Sequence, residues 1–148
     1  MRRTARTRVL FLCTGNSARS QIAEAILRDI GGNRFDAKSA GTNPRDAVNE
    51  FALAALRERG IDYTGLYPKN VSELSGEKFD IIVTLCDHAR EDCPAVLRRC
   101  LHLHWSLDDP AALKGTYYEI MVKFRETCNE IEKRIRRNIL QEKLPSTS

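Results

Sequence analysis

Two periodicities divide the apolar positions along this chain. Unbroken runs predict a buried strand at residues 8–12 (RVLFL) and the strongest strand at 80–85 (DIIVTL), with further strands at 35–39 and 99–105. Between them the spacing changes to three and four. Ile22, Ile26 and Ile30 form one stripe of a predicted helix over 21–30 that Gly31 and Gly32 stop. Phe51, Ala52, Ala55 and Leu56 do the same over 49–59 before Gly60, and a short helix is expected at 72–74. Ile120, Phe124, Cys128, Ile131, Ile135 and Ile139 then mark one face of a long helix over 116–141 whose other face is charged.

Strands alternating with helices predict an α/β fold. The expectation is a single domain over 1–148, a four-stranded parallel sheet with helices on both faces, and tails at 1–7 and 144–148. At 148 residues the chain can bury a substantial core without disulfide staples. In such sheets ligands bind at the carboxyl ends of the strands. Cys13, Cys86 and residues 105–109 each follow a predicted strand directly, so they should meet at that edge.

Composition changes this picture little. The net charge of +4 favours anionic ligands only slightly. The apolar stretch after the basic MRRTARTR is far too short for a signal-peptide core or a membrane span, which leaves a cytoplasmic protein as the expectation. Five cysteines, an odd number, argue for reduced thiols over a disulfide framework. No Cys/His cluster has zinc-finger spacing, and His102 and His104 alternate along a predicted strand, so no transition metal is assigned.

The chemistry concentrates in CTGNSARS, residues 13–20. A cysteine between a strand and a helix N-terminus has its thiolate stabilised by the helix dipole and by amides without intrahelical partners, so a depressed pKa is expected. The small residues Thr14, Gly15, Asn16, Ser17 and Ala18 let successive N–H groups converge on one anion. Arg19 can bind two oxygens of a tetrahedral oxyanion side by side, Ser20 can donate to the Cys13 sulfur, and Asn16 can brace the loop.

This C-x5-R-S arrangement resembles the active-site loop of the low-molecular-weight protein tyrosine phosphatases and of the arsenate reductases that share their fold. VTLCDHAREDCP (83–94) and HWSLDDPA (104–111) are similar to the thioredoxin-coupled branch of those reductases. The resemblance implies Cys13 as nucleophile on arsenate, Cys86 as first resolving thiol and Cys93 as the thiol that completes an exportable disulfide, regenerated by thioredoxin or a similar dithiol donor. It implies phosphate and sulfate as competing anions. Asp109, before Pro110, resembles the general acid, with Asp108 as its rival. It also implies a potassium ion at Asn16, Glu24 and Ser39, with Glu73 at an acidic position nearby, and no tightly bound cofactor otherwise. Ala18 stands where several of these reductases have another cysteine.

Two other functions compete. A phosphatase of the same fold would hydrolyse phosphate monoesters through a phosphocysteine, but such enzymes follow the Asp-Pro pair with aromatic residues where this chain has Ala111 and Ala112. A binding module docking on nucleic acid through Arg2, Arg3, Arg6 and the 133–137 cluster lacks any groove-reading motif. The expectation is a monomeric enzyme with neither a nucleic-acid nor a membrane partner, Cys100 without a catalytic position and Cys128 in the core.

Overall fold

The computed structural model of the chain describes residues 5–94 and 100–142. Its strands are β1 (Thr7–Cys13), β2 (Phe35–Gly41), β3 (Ile81–Thr84) and β4 (Leu101–His104), all parallel and ordered β2-β1-β3-β4. β1 pairs with β2 from Thr7 opposite Phe35 to Cys13 opposite Gly41, and with β3 from Val9 opposite Ile81 to Leu12 opposite Thr84. With partners on both edges and cover on both faces it has no solvated side. Val9, Leu10, Phe11 and Leu12 are accordingly all 0% exposed, which is why the run shows no alternation.

The two faces are covered unequally. On one, α1 (Arg19–Gly31), α2 (Glu50–Glu58) and α4 (Tyr117–Arg134) bury Phe11 and Val83 under Ile22, Ile26, Leu56 and Phe124. The other carries, among the described residues, the 3-10 turn Val71–Leu74 and the five-residue α3 (Asp87–Glu91), which close Leu10, Leu12 and Ile82 under Leu74, Ala89 and Cys93. The sequence pattern gave no sign of α3, because Ala89 is its one buried residue.

Element ends differ from the expectation where backbone and apolar pattern part company. β1 starts at Thr7, inside the expected tail, and β2 runs on to Gly41. α1 begins at Arg19, two residues before the predicted start, with Ala18 O accepting from Ile22 N at 2.9 Å. Asn49 lies outside α2 as its cap, accepting from Phe51 N and Ala52 N. Residues 110–112 form a 3-10 turn after Asp109. The predicted tail at 144–148 and the start of the fourth strand at Arg99 lie outside the described residues. No helix among the described residues is long and apolar enough to cross a membrane.

The predicted terminal helix is α4 continued by a π-helical turn, Ile135–Ile139, in which Leu140 N donates to Ile135 O at 2.9 Å. Ile131, Ile135 and Ile139 stand four apart, and on a regular helix each such step drifts about 40° around the axis. The wider turn offsets that drift and keeps Ile139 at 6% exposure. The charged face is ion-paired along the helix, Arg134 to Glu130 and Arg136 to Glu132.

Cys128, 0% exposed, packs in the core as expected, and burial pushes its thiol from 9.0 to about 11. A folded-state pKa above the unfolded value means stability that is complete below the unfolded value and lost as pH rises through the folded one. Denaturant unfolding should therefore show about 3 kcal/mol lost from this source between about pH 9 and 11. In Cys128→Ala that part of the pH slope should vanish; an identical slope in both proteins would place the thiol in contact with water.

Candidate active site

Cys13 ends β1 and Arg19 opens α1, so residues 14–18 must turn the chain from strand to helix. The turn is built around Asn16, 0% exposed with φ 47°, a left-handed conformation that asparagine tolerates better than most side chains. Its Oδ1 accepts from the backbone N–H of Lys69 at 2.9 Å, so Nδ2 is the group donating to Ser20 Oγ at 2.7 Å. Ser20 is thereby an acceptor toward Asn16, and its Oγ shares a hydrogen bond with Cys13 Sγ, 2.9 Å away, in which the hydroxyl is the donor once the sulfur is a thiolate. Asn16 N–H donates to the same sulfur at 3.2 Å.

The outer side of the loop is satisfied by the segment after β2. Thr42 N donates to Cys13 O (3.3 Å), Asn43 N to Thr14 O (2.9 Å), Arg45 N to Gly15 O (2.9 Å) and Asn49 N to Ser17 O (2.8 Å). With those carbonyls paired to the segment after β2, the loop satisfies its acceptors without using its own N–H groups, the arrangement an anion nest requires. The close approach needs Gly41, where a Cβ would sit 2.5 Å from Thr14 O.

The segment from Cys13 to Arg19 lines one open cleft together with Cys86 and Asp109. Ser20 stands behind it, 0% exposed, and reaches the site only through the sulfur. Arg19 Nη1 donates to Leu107 O (2.9 Å) and Leu85 O (3.3 Å), which aims the guanidinium, and Nη2 lies 3.9 Å from Asp109 Oδ2. Asp109 Oδ1 accepts from Ala111 N at 3.0 Å, fixing the carboxylate at the rim. Asp108 points elsewhere, 90% exposed and 3.7 Å from Lys123. Cys86 Sγ sits 3.2 Å from Thr14 Oγ1.

Cys93 is not in this cleft. It is 3% exposed, in the apolar cluster on the α3 side of the sheet, where Cys86 and Cys100 also pack. None of the five cysteines is joined in a disulfide. Asn16, Glu24 and Ser39 do come together, but on Lys69, whose backbone N–H donates to Asn16 Oδ1 and whose ammonium faces the Ser39 carbonyl and Glu24, and Glu73 turns its carboxylate back to cap Asn70 N at 2.9 Å. His104 bridges Thr84 Oγ1 (2.7 Å) and Asp87 Oδ1 (2.9 Å), tying β4 to the start of α3.

Sequence reasoning missed the wall formed by Asn43, Arg45, Asp46 and Asn49, and His88 opposite it. The one available signal was position, since GTNPRD follows the carboxyl end of a strand. It also missed the sign of a shift. Burial pushes the Cys13 thiol above its ordinary value, against the hydrogen bond from Ser20, the charge of Arg19 and the Asn16 N–H. The balance is upward, the reverse of the expectation, because counting donors along the sequence omits the water that a sulfur at 3% exposure has lost.

Because the thiolate is the form that alkylates, Cys13 reactivity should rise with pH, and Ser20→Ala should move the whole profile to higher pH. At pH 7 the variant should react with iodoacetamide about tenfold more slowly, the worth of one hydrogen bond to a charged group. Superimposable profiles would mean that the Ser20 proton does not reach the sulfur.

The low molecular weight phosphotyrosine protein phosphatase family model matches residues 8–145. An arsenate reductase of Halalkalibacterium halodurans is 41% identical over 128 residues, 86% of this chain and 91% of the relative. Among solved structures, an arsenate reductase in the phosphate binding state has a TM-score of 0.77 at 25% identity, covering 91% of this chain and 98% of that one. A thioredoxin-dependent arsenate reductase of Corynebacterium glutamicum has a TM-score of 0.65 at 26% identity, covering 94% of this chain and 65% of that longer one. The four parallel strands, the loop from Cys13 to Arg19 and the match along nearly the whole length agree: the chain belongs to the low molecular weight phosphotyrosine protein phosphatase family.

Proposed function

We propose that the protein reduces arsenate to arsenite through a thiol relay recharged by thioredoxin or a similar dithiol donor. The observation that carries this reading is the second thiol at the oxyanion loop: Cys86 lines the Cys13 cleft, 3.2 Å from Thr14 Oγ1. Hydrolysis of a phosphocysteine needs water and an acid, and gives Cys86 nothing to do. The relatives described as arsenate reductases support the same choice.

Arsenate is held by the loop amides and by the Nε–Nη2 edge of Arg19, Nη1 being committed to Leu107 O and Leu85 O. Phosphate and sulfate have the same shape and compete. The Cys13 thiolate bonds to arsenic and an arsenate oxygen leaves as water, with Asp109 as the proton donor. The Cys86 thiolate then attacks Cys13 Sγ. The sulfur–arsenic bond breaks, its electron pair stays on arsenic, arsenite departs and a Cys13–Cys86 disulfide remains. The Cys93 thiolate attacks Cys86, Cys13 leaves as a thiolate, and a Cys86–Cys93 disulfide is handed to the donor.

The last exchange requires a rearrangement, since Cys93 lies beneath the sheet face and α3 separates it from Cys86. A five-residue helix with one buried side chain is lightly anchored. Its unwinding releases the Asp87–His104 contact and frees both sulfurs to reach bonding distance. Ala111 and Ala112 line the cleft while Tyr117 and Tyr118 stand exposed at the start of α4, which suits a small oxyanion better than an aryl ester.

Arsenate added without reductant should convert the unmutated protein to a Cys86–Cys93 disulfide seen by peptide mass analysis. Cys93→Ser should stop after one arsenite with a Cys13–Cys86 disulfide, and Cys86→Ser should make none while still hydrolysing an artificial aryl phosphate. Repeated turnover by both variants at the parent rate would remove the relay. Asp109→Asn should slow adduct formation by about 10²-fold or more with anion binding kept, and Asp108→Asn should change little. The reverse order of effects would make Asp108 the acid.

A further inference from the structure

Behind the Cys13 loop, where α1, β2 and residues 67–70 converge, four polar side chains are buried together: Asn16 and Ser39 at 0% exposure, Glu24 at 1% and Lys69 at 8%. This is where the resemblance implies potassium, and the fit can be judged from the oxygens themselves. Lys69 Nζ donates to the carbonyls of Ser39 (2.8 Å) and Tyr67 (3.2 Å), lies 3.8 Å from Glu24 Oε1, and stands 4.5 Å from the centre of the Tyr67 ring. Glu24 Oε1 accepts from Ser39 Oγ at 2.7 Å, and Oε2 is paired with Arg28. Asn16 Oδ1 faces the backbone N–H of Lys69. Each of these oxygens already meets a donor, and a metal ion entering the cluster would meet a buried ammonium of like charge. Potassium does not fit.

We propose that Lys69 is the built-in cation of this site, a positioning residue whose ammonium holds the Cys13 loop where a bound monovalent metal ion would otherwise be needed. Both halves of the residue act on the loop. The backbone half donates from N–H to Asn16 Oδ1 and accepts from Gly41 N at 2.8 Å, so it joins the loop to the end of β2. The side-chain half ties the same segment to Ser39 of β2 and Glu24 of α1. Gln21 adds a parallel tie, its Nε2 donating to Asn16 O and Tyr67 O at 2.9 Å each. From Asn16 the constraint passes through Nδ2 to Ser20 Oγ and from Ser20 to the Cys13 sulfur. A lysine this deeply buried is found almost only with partners, and Glu24 is its counterion. The inference rests on Cys13 as the nucleophile and not on which oxyanion it attacks.

The test is Cys13 alkylation at fixed pH, read by peptide mass, and the thermal midpoint of the whole chain, each in potassium chloride and in lithium chloride at equal ionic strength. The unmutated protein should give the same rate and midpoint in both salts. Lys69→Met should alkylate at Cys13 several-fold more slowly, with potassium but not lithium restoring part of the rate, and Lys69→Arg should keep most of it. A potassium-specific rise in rate or midpoint in the unmutated protein would overturn the proposal, as would a folded Lys69→Met with the parent rate. Should Lys69→Met not fold, the salt comparison on the unmutated protein and the rate of Lys69→Arg decide. None of these readouts involves arsenate, so failure of the reductase reading leaves them unchanged.

Discussion

One carboxamide holds this site together. Asn16 sits inside the turn between β1 and α1 in a left-handed conformation, accepts from Lys69 on one side and donates to Ser20 on the other. Without it the loop would have to keep its amides aimed at one point by backbone preference alone, and residues at positive φ cost free energy unless their surroundings hold them. The orientation of the amide has a consequence for chemistry. Because a backbone N–H can only donate, Oδ1 must face Lys69, Nδ2 must face Ser20, and the Ser20 hydroxyl stays able to donate to the sulfur when that is a thiolate. The orientation of a side chain three residues along thus bears on what the Cys13 thiolate can accept.

The unequal cover of the sheet gives the thiols different surroundings. Three helices lock the face that carries Phe11 and Val83, and Cys128 is sealed within it. The opposite face is closed by a 3-10 turn and the short α3, and there Cys93 is buried with Cys86 and Cys100 against it. A rigid half anchors β1 and the oxyanion loop at its end. The lightly covered half holds the thiols that the proposed relay would have to move. Local opening is cheapest where few apolar side chains are lost, and α3 commits only Ala89.

What could be read in the sequence was whatever is contiguous. Strand, loop and helix follow one another from Thr7 to Gly31, so an apolar run, a set of small residues and a stripe of isoleucines were enough to place Cys13 and Arg19 at one cleft. Asp109 was readable through its proline, and the geometry separates it from Asp108. What depends on distant segments was not readable. Lys69 is 53 residues from Asn16, and no local pattern ties it to the loop. The residues that pair with the outer carbonyls of the loop belong to a turn without apolar pattern. The direction of the Cys13 shift depends on lost water, and the burial of Cys93 depends on which sheet face a five-residue helix covers. Potassium came from resemblance alone, and the side chain that argues against it lies outside the motif that suggested it.

The most direct measurement is the oxidation of reduced nicotinamide through thioredoxin reductase and thioredoxin by the unmutated protein when arsenate is added, with arsenite counted at the end. The account predicts sustained consumption, one arsenite per nicotinamide oxidised, and none when phosphate replaces arsenate. Active hydrolysis of an aryl phosphate by the same sample, with no nicotinamide consumed on arsenate, would contradict it.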